Sequence, residues 1–108
     1  MDGNRKLLNL ATKAGKTASG EFSTERAVKM GKAKLVIVSE EASDNTKKQF
    51  ANMCAYYKVP ICYFGKKEEL GHAMGKQFRA SLAVLDEGLS KAMVKQMNWN
   101  GGSEYESE

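Results

Sequence analysis

The sequence predicts an α/β protein, a three-layer α/β/α sandwich whose small mixed sheet of about four strands is buried between helices. Three observations lead there. Short, apolar, β-branched runs alternate with longer segments of helical periodicity. Glycine, proline or a polar cluster marks most hand-overs between them. Neither a repeat nor an internal linker divides the 108 residues, a length that suits one domain.

Taken in order, Leu7, Leu10, Ala11 and Ala14 recur at helical spacing, and Gly15 closes that helix. "KTASG" follows and is long enough for a short strand. Thr24, Ala27, Val28 and Gly31 share one face of a second helix that starts after Gly20. "KLVIVS" (34–39) is an unbroken apolar run, as expected of a strand covered on both faces. "EEASDNTK" reads as a turn in which Ser43 or Asp44 caps the next helix, since their side-chain oxygens accept from the open amides. Phe50, Met53, Cys54 and Tyr57 fall at i, i+3, i+4 and i+7 and define that helix as amphipathic. Pro60 stops helical continuation and leads into "ICYF", a third strand. "GKKEELGHAMGK" holds a short helix with Leu70, Ala73 and Met74 inward, and "ASLAVL" gives the last strand. Leu89, Ala92, Met93 and Met97 form the inner stripe of a final helix. Residues 1–98 are therefore expected to be one domain, and 99–108 an acidic, mobile tail.

Charge is unevenly spread. The last ten residues, "WNGGSEYESE", contain Glu104, Glu106 and Glu108 and no lysine or arginine. Residues 1–98 thus carry seventeen basic against ten acidic side chains, +7 within a chain of net +4. A basic body suggests a polyanionic partner. No stretch approaches the roughly 18 apolar residues of a membrane span. The first sixteen residues show neither a long apolar run nor a secretory cleavage pattern, so a cytoplasmic location without a membrane partner is expected.

Signals for chemistry are sparse. Cys54 and Cys62 fit no metal-binding spacing and sit in apolar surroundings, as reduced core thiols do. His72 is the only histidine. Glu68 and Glu69 neighbour it on a helix, but an exposed histidine explains the pattern without a metal. No nucleophile–base pair and no phosphate-cradling glycine motif is present. The expectation is a non-enzyme with no cofactor, no metal and no small-molecule substrate. Glycine followed by lysine recurs at 15–16, 31–32, 65–66 and 75–76. Such pairs serve close approach to an anionic partner, or they simply end helices, where glycine and lysine are both favoured.

The order "SGEFSTERAVKMGKAKLVIVSEEAS", then "CAYYKVPICYFGKKEELGHAMGK", then a basic loop and "ASLAVL", resembles the kink-turn-binding ribosomal-protein family. That group contains the large-subunit proteins L-seven-Ae and L-thirty-e, the small-subunit protein S-twelve-e and small bacterial relatives. The resemblance spans roughly residues 4–98, and "GKAKLVIV", "VP" before a strand and "KEELGHAMGK" are its most specific parts. It implies a non-catalytic, cytoplasmic RNA-binding protein of translation or of a ribonucleoprotein, whose partner is structured RNA: a kink-turn in ribosomal RNA or in an mRNA leader. A protein–protein interaction module of the same fold is the alternative.

The family grips its RNA with the start of the second helix and with a loop before the last strand. In its best-known members that helix opens with an Asn-Glu-x-x-Lys box, one residue after a glycine. Aligned on Gly20 and "KAKLV", the box falls on Phe22, Ser23, Thr24, Glu25 and Arg26. Arg26 keeps the basic charge, while Phe22 and Ser23 replace Asn and Glu. The resemblance, together with the local charge, assigns RNA contact to Gly20, Glu21, Phe22, Ser23, Arg26, Lys29 and Lys32, and in the loop to Lys76, Gln77, Phe78 and Arg79. Helix-opening amides attract phosphate, Arg26 suits a bidentate contact, and Phe22 and Phe78 suit stacking on unpaired bases. Competing readings remain open at three positions: Ser23 as a helix cap, and Phe22 and Phe78 as core residues.

Overall fold

A computed structural model describes residues 2–99. The order of elements is α1 (Asp2–Lys13), β1 (Thr17–Ser19), α2 (Glu21–Lys29), β2 (Leu35–Val38), α3 (Asp44–Tyr57), β3 (Ile61–Tyr63), α4 (Lys67–Ala73), β4 (Ser81–Val84) and α5 (Glu87–Trp99). The expected tail lies outside the described residues except for Trp99, which still belongs to α5; the Met97 side chain lies outside them too. None of the described helices is long and apolar enough to cross a membrane.

The four strands make one mixed sheet in the order β1-β4-β2-β3. β4 is antiparallel to both neighbours, and β2 and β3 run parallel. Val38 pairs with Ser81 and Tyr63, and Ser19 pairs with Leu82, so these residues mark one end of the sheet, here called the upper end. Leu35 and Thr17 both pair with Val84 and mark the lower end.

Side chains alternate across a strand, so a strand buried on both faces feeds two cores. Leu35 and Ile37 of β2 join Leu82 and Val84 of β4, with Leu8 and Ala11 of α1, Leu70 and Met74 of α4 and Met93 of α5. Val36, Val38 and Ala83 face the other way, against Ala27 and Val28 of α2 and Phe50 and Cys54 of α3. Helices α1, α4 and α5 therefore form one outer layer, and α2 and α3 the other, which is the predicted sandwich. Ser43 caps α3 by accepting from the Thr46 N–H at 3.1 Å.

Three details differ from the sequence expectation. The inward stripe of α1 runs through Leu8 and Ala11, with Leu7 partly covered, whereas Leu10 and Ala14 are exposed. Leu7 and Leu8 are adjacent apolar positions, and the helix is rotated so that Leu8 points in. Next, α3 ends before Pro60, because Lys58 takes a left-handed conformation (φ 60°) and the Val59 N–H closes back on the Cys54 carbonyl. Tyr57 consequently stays at the surface, edge-on to Tyr56 with ring centroids 4.9 Å apart. Lastly, three of the four glycine–lysine pairs end helices. The N–H groups of Lys16, Lys32 and Lys76 bond back to the carbonyls of Ala11, Ala27 and Gly71 at 2.8, 2.9 and 2.7 Å. The ends of α1 and α2 lead into the lower end of the sheet, whereas Gly65 and Lys66 follow β3 at the upper end, so the pairs do not share one side.

Among the described glycines, Gly71 leaves the least room for a side chain. After α4 the chain turns at Gly75 and runs back along the helix, so that a Cβ on Gly71 would stand 2.5 Å from the Gln77 carbonyl oxygen and 2.7 Å from the Phe78 nitrogen. An ordinary Gly→Ala change inside a helix stabilises by about 1 kcal/mol. Here the sign is expected to reverse: Gly71→Ala should destabilise by about 1–3 kcal/mol in urea unfolding, because backbone atoms must move apart.

Cys54 and Cys62 are both buried, in different cores on opposite faces of the sheet. Burial pushes the Cys54 thiol up to about 12. A thiol whose folded pKa exceeds its unfolded one stabilises the fold fully below about pH 9 and loses that contribution as pH climbs toward about 12. At pH 8.5, iodoacetamide should label Cys54 at a rate set by unfolding, with fast labelling only in denaturant, as mass spectrometry would read it.

Candidate nucleic-acid interface

Helix α2 starts at the upper end of the sheet because the chain turns sharply at Gly20. Its φ of 96° with ψ of 159° is a conformation that glycine adopts and side-chain-bearing residues avoid. The Gly20 N–H still bonds to the Ser81 carbonyl at 2.9 Å, extending the β1–β4 ladder, while its own carbonyl already accepts from Thr24 at 2.9 Å. Gly20 is thus the N-cap, and no side chain caps the helix. The opening amides, with Glu21, Phe22 and Ser23, are left facing outward in the sense that makes helix starts attractive to anions.

The three open questions resolve toward solvent. Phe22 is 73% exposed, Phe78 is 54% exposed, and Ser23 is an exposed residue of the first turn rather than a cap. The buried member of the box is Thr24, whose Oγ1 has no hydrogen-bond partner. Arg26 lies one turn beyond Phe22 on the same exposed face, with its Nε–H donating to the Met30 sulfur at 3.5 Å. Its guanidinium therefore extends toward the end of the helix in this conformation.

The loop joins this edge through Arg79. Its Nε–H donates to Ser19 Oγ at 3.1 Å and its Nη1 donates to the Phe78 carbonyl at 2.8 Å. The same Nε would lie 3.8 Å from a Cβ on Gly20. The Arg79 N–H bonds to the Lys67 carbonyl at 3.0 Å, which fixes the loop on the start of α4. A guanidinium has five N–H donors; two are used here, so the group is held in place with donors to spare. Gly20, Glu21, Phe22, Ser23, Phe78 and Arg79 are in this way brought to one end of the molecule. Lys76 and Gln77 are exposed on the returning loop, with the Gln77 backbone against Gly71.

Two of the sequence candidates go elsewhere. Lys29 sits in the last turn of α2, and its ammonium donates to Glu25 at 2.7 Å. That bond, and the carboxylate charge behind it, raise the Lys29 pKa above its ordinary value. Lys32 closes the far end of α2, near the lower end of the sheet. Conversely, Lys66 and Lys67 stand at the upper end beside Arg79. Their backbone N–H groups donate to Glu69 at 2.8 Å and to Glu41 at 2.9 Å, and neither ammonium pairs with a carboxylate among the described residues. Only the "FGKK" repetition hinted at them. Ser19 and Gly71 carried no sequence signal, since their partners lie far along the chain. Glu21, Glu40 and Glu41 share this end, so the edge is cationic in patches. His72 is exposed, and among the described residues no group of three or more His, Cys, Asp or Glu is placed to hold a metal ion.

If Ser19 fixes the guanidinium, the Arg79 Nε–H should give a sharp, slowly exchanging signal in ¹⁵N NMR. Ser19→Ala should broaden it and speed its exchange while leaving the fold's amide spectrum largely in place; an unchanged signal would mean that Ser19 does not position Arg79.

The sequence profile described as the ribosomal protein L7Ae/L30e/S12e/Gadd45 family matches residues 3–94. The chain is 37% identical over 92 residues to RNA-binding protein YlxQ of Bacillus subtilis (strain 168), covering 85% of this chain and 92% of that protein. It is 36% identical over 94 residues to RNA-binding protein YlxQ of Enterococcus faecium, covering 83% and 90%. Among solved structures, a protein with unknown function from Bacillus halodurans superposes with a TM-score of 0.84 at 34% identity over 88% of this chain and 96% of that one. The Giardia lamblia 15.5 kD RNA-binding protein superposes with a TM-score of 0.75 over 88% and 84%. At 20% identity the latter likeness is one of fold.

Proposed function

The chain belongs to the ribosomal protein L7Ae/L30e/S12e/Gadd45 family, and from that membership we propose that it is a non-catalytic RNA-binding protein of the cytoplasm that recognises a kink-turn or a similarly bent structured RNA, in ribosomal RNA or an mRNA leader. The observation that carries the reading is the Arg79–Ser19 hydrogen bond. It brings the loop before β4 against the start of α2, so two segments with anion- and base-binding chemistry make one edge. The YlxQ relatives carry RNA-binding in their names, which supports the same reading.

Each part of the edge has a role. The unpartnered amides of the first α2 turn take a phosphate, and Ser23 donates to a phosphate or base edge. Arg79, already oriented, loses little side-chain entropy on making a second, charge-assisted contact. Phe22 and Phe78 stack on bases that a sharp bend leaves unpaired, each contact being worth about 1–3 kcal/mol. Lys66 and Lys67 add phosphate attraction that weakens with salt. A straight duplex offers neither unpaired bases nor the bend, so it engages only the charges.

A gel-shift titration with a kink-turn RNA and a straight duplex of equal length tests this. The kink-turn should bind at least tenfold tighter, and equal affinities would overturn the reading. Arg79→Ala and Phe22→Ala should each weaken kink-turn binding about 5- to 100-fold, as loss of one good contact does. Arg26→Ala should weaken it more than Lys91→Ala, and Lys32→Ala should change it by less than about twofold, the level of a remote screened charge. Equal losses from all five would mean diffuse charge in place of a site.

A further inference from the structure

A second feature lies away from the Gly20–Arg79 edge. Along α5, Ser90, Lys91, Val94 and Lys95 line a cleft of about 550 Å³ whose opposite wall is Lys34 and Pro60. A neighbouring cleft of about 490 Å³ shares Pro60 and Val94 and continues over Val59 and Ile61 to Ala51 and Ala55 of α3. Together they make one groove that crosses from the α5 layer to the α3 layer beside β3, an edge strand. Lys34 precedes β2 and Pro60 precedes β3, which places the groove toward the lower end of the sheet. Its floor is aliphatic. Its rim carries four exposed lysines, Lys34, Lys58, Lys91 and Lys95, against one carboxylate, Glu87. Glu87 pairs with Lys91 at 3.3 Å, and the other three lysines pair with no carboxylate among the described residues.

The wall of the groove also holds an unmet donor. Ser90 is 3% exposed, and its hydroxyl has no hydrogen-bond partner. A buried hydroxyl left unpaired is costly, so an occupant that brings an acceptor gains there as well as at the lysines. The groove therefore suits a molecule that is both anionic and apolar. RNA and an acidic protein segment are the two classes to weigh, and the lining decides between them. Unpaired nucleotides are held by stacking on aromatic rings or guanidinium planes. Neither cleft has an aromatic residue or an arginine among its described lining residues. An aliphatic floor rewards aliphatic side chains, as in grooves that receive the apolar face of an amphipathic helix. We propose that this groove docks an acidic, leucine-rich amphipathic helix of a partner protein. Its apolar side chains lie on Val59, Pro60 and Val94, and its carboxylates face Lys34, Lys95 and the Ser90 hydroxyl.

Spacing and energetics agree with such an occupant. Lys91 and Lys95 are one turn apart, about 6 Å along α5. Carboxylates four residues apart on a helix laid alongside have the same spacing. Exposed ion pairs are individually weak, so the apolar floor supplies most of the affinity. The lysines set the orientation of the partner and speed its encounter. The groove is at the lower end of the sheet, whereas Gly20 and Arg79 are at the upper end. A protein partner held here leaves that edge uncovered, and the docking itself does not rest on the RNA reading.

The probe is a synthetic peptide of leucine and glutamate in amphipathic helical order, about four turns long. It is titrated into the ¹⁵N-labelled full-length chain, without RNA, and followed by amide NMR. Saturable shifts are expected at Lys34, Val59, Ile61, Val94 and Lys95, with a dissociation constant below about 1 mM. A control peptide with serine in place of leucine should bind at least about tenfold more weakly, since it keeps the charge and loses the apolar face. The Lys34→Gln/Lys95→Gln variant should keep its amide spectrum and weaken peptide binding about fivefold or more. Its affinity for kink-turn RNA should change by less than about twofold, as for a remote screened charge. The docking is overturned by no saturable shift, by equal binding of the serine control, or by shifts centred on Gly20, Phe22 and Arg79. It is equally overturned if oligouridylate moves the groove signals more strongly than the peptide does, which would make the groove an RNA contact.

Discussion

The candidate edge exists because two stretches of backbone touch at Gly71. Helix α4 and the loop that returns from it leave no room for a side chain there. Only with that contact does the loop lie flat enough for the Arg79 N–H to reach the Lys67 carbonyl and for the guanidinium to reach Ser19. A side chain at Gly71 would have to push the Gln77–Phe78 backbone away from α4, and Arg79 is the next residue along. A missing β-carbon in one helix therefore sets the position of a charge that belongs functionally to another.

The sheet supplies the frame for this. β4 lies between β1 and β2 and ties Ser81 to Gly20 on one side and to Val38 on the other. Everything that converges at the upper end hangs on one four-residue strand whose side chains are all buried. Both faces of that strand are committed to packing, so its upper end cannot shift without disturbing both cores. Rigid support of this kind is what a recognition surface needs if its donors are to be in place before the partner arrives.

How much could be read from the chain follows the range of the interactions. β2, β3 and β4 were legible because apolar runs bounded by glycine, proline or polar clusters are local signals, while β1 offered only a short segment between two glycines. A cap at Ser43 or Asp44 and a helix end at Gly15 were legible for the same reason, whereas Gly31, expected on the inward face of α2, stands past its end with φ 75°. In α1, Leu7 and Leu8 are adjacent, and periodicity cannot choose between them; packing against β2 and β4 does. Phe22 and Phe78 could have been core or surface, since a lone aromatic carries no label of its own. The family resemblance named the two segments proposed to contact RNA, yet it did not indicate that Lys32 closes the far end of α2. Ser19, Gly71, Lys66 and Lys67 escaped because their relevance depends on residues brought alongside by the fold.

Ser19 and Arg79 are 60 residues apart in the chain. Their meeting requires β1 to have paired with β4, one of the more distant pairings in the topology, so nothing resembling the complete edge survives in the unfolded chain. A ligand that needs both segments can bind the folded state alone. By mass action such a ligand deepens the stability of the whole domain in proportion to the logarithm of its free concentration, and the molecule's resistance to heat or proteolysis becomes a readout of how much of its partner is present.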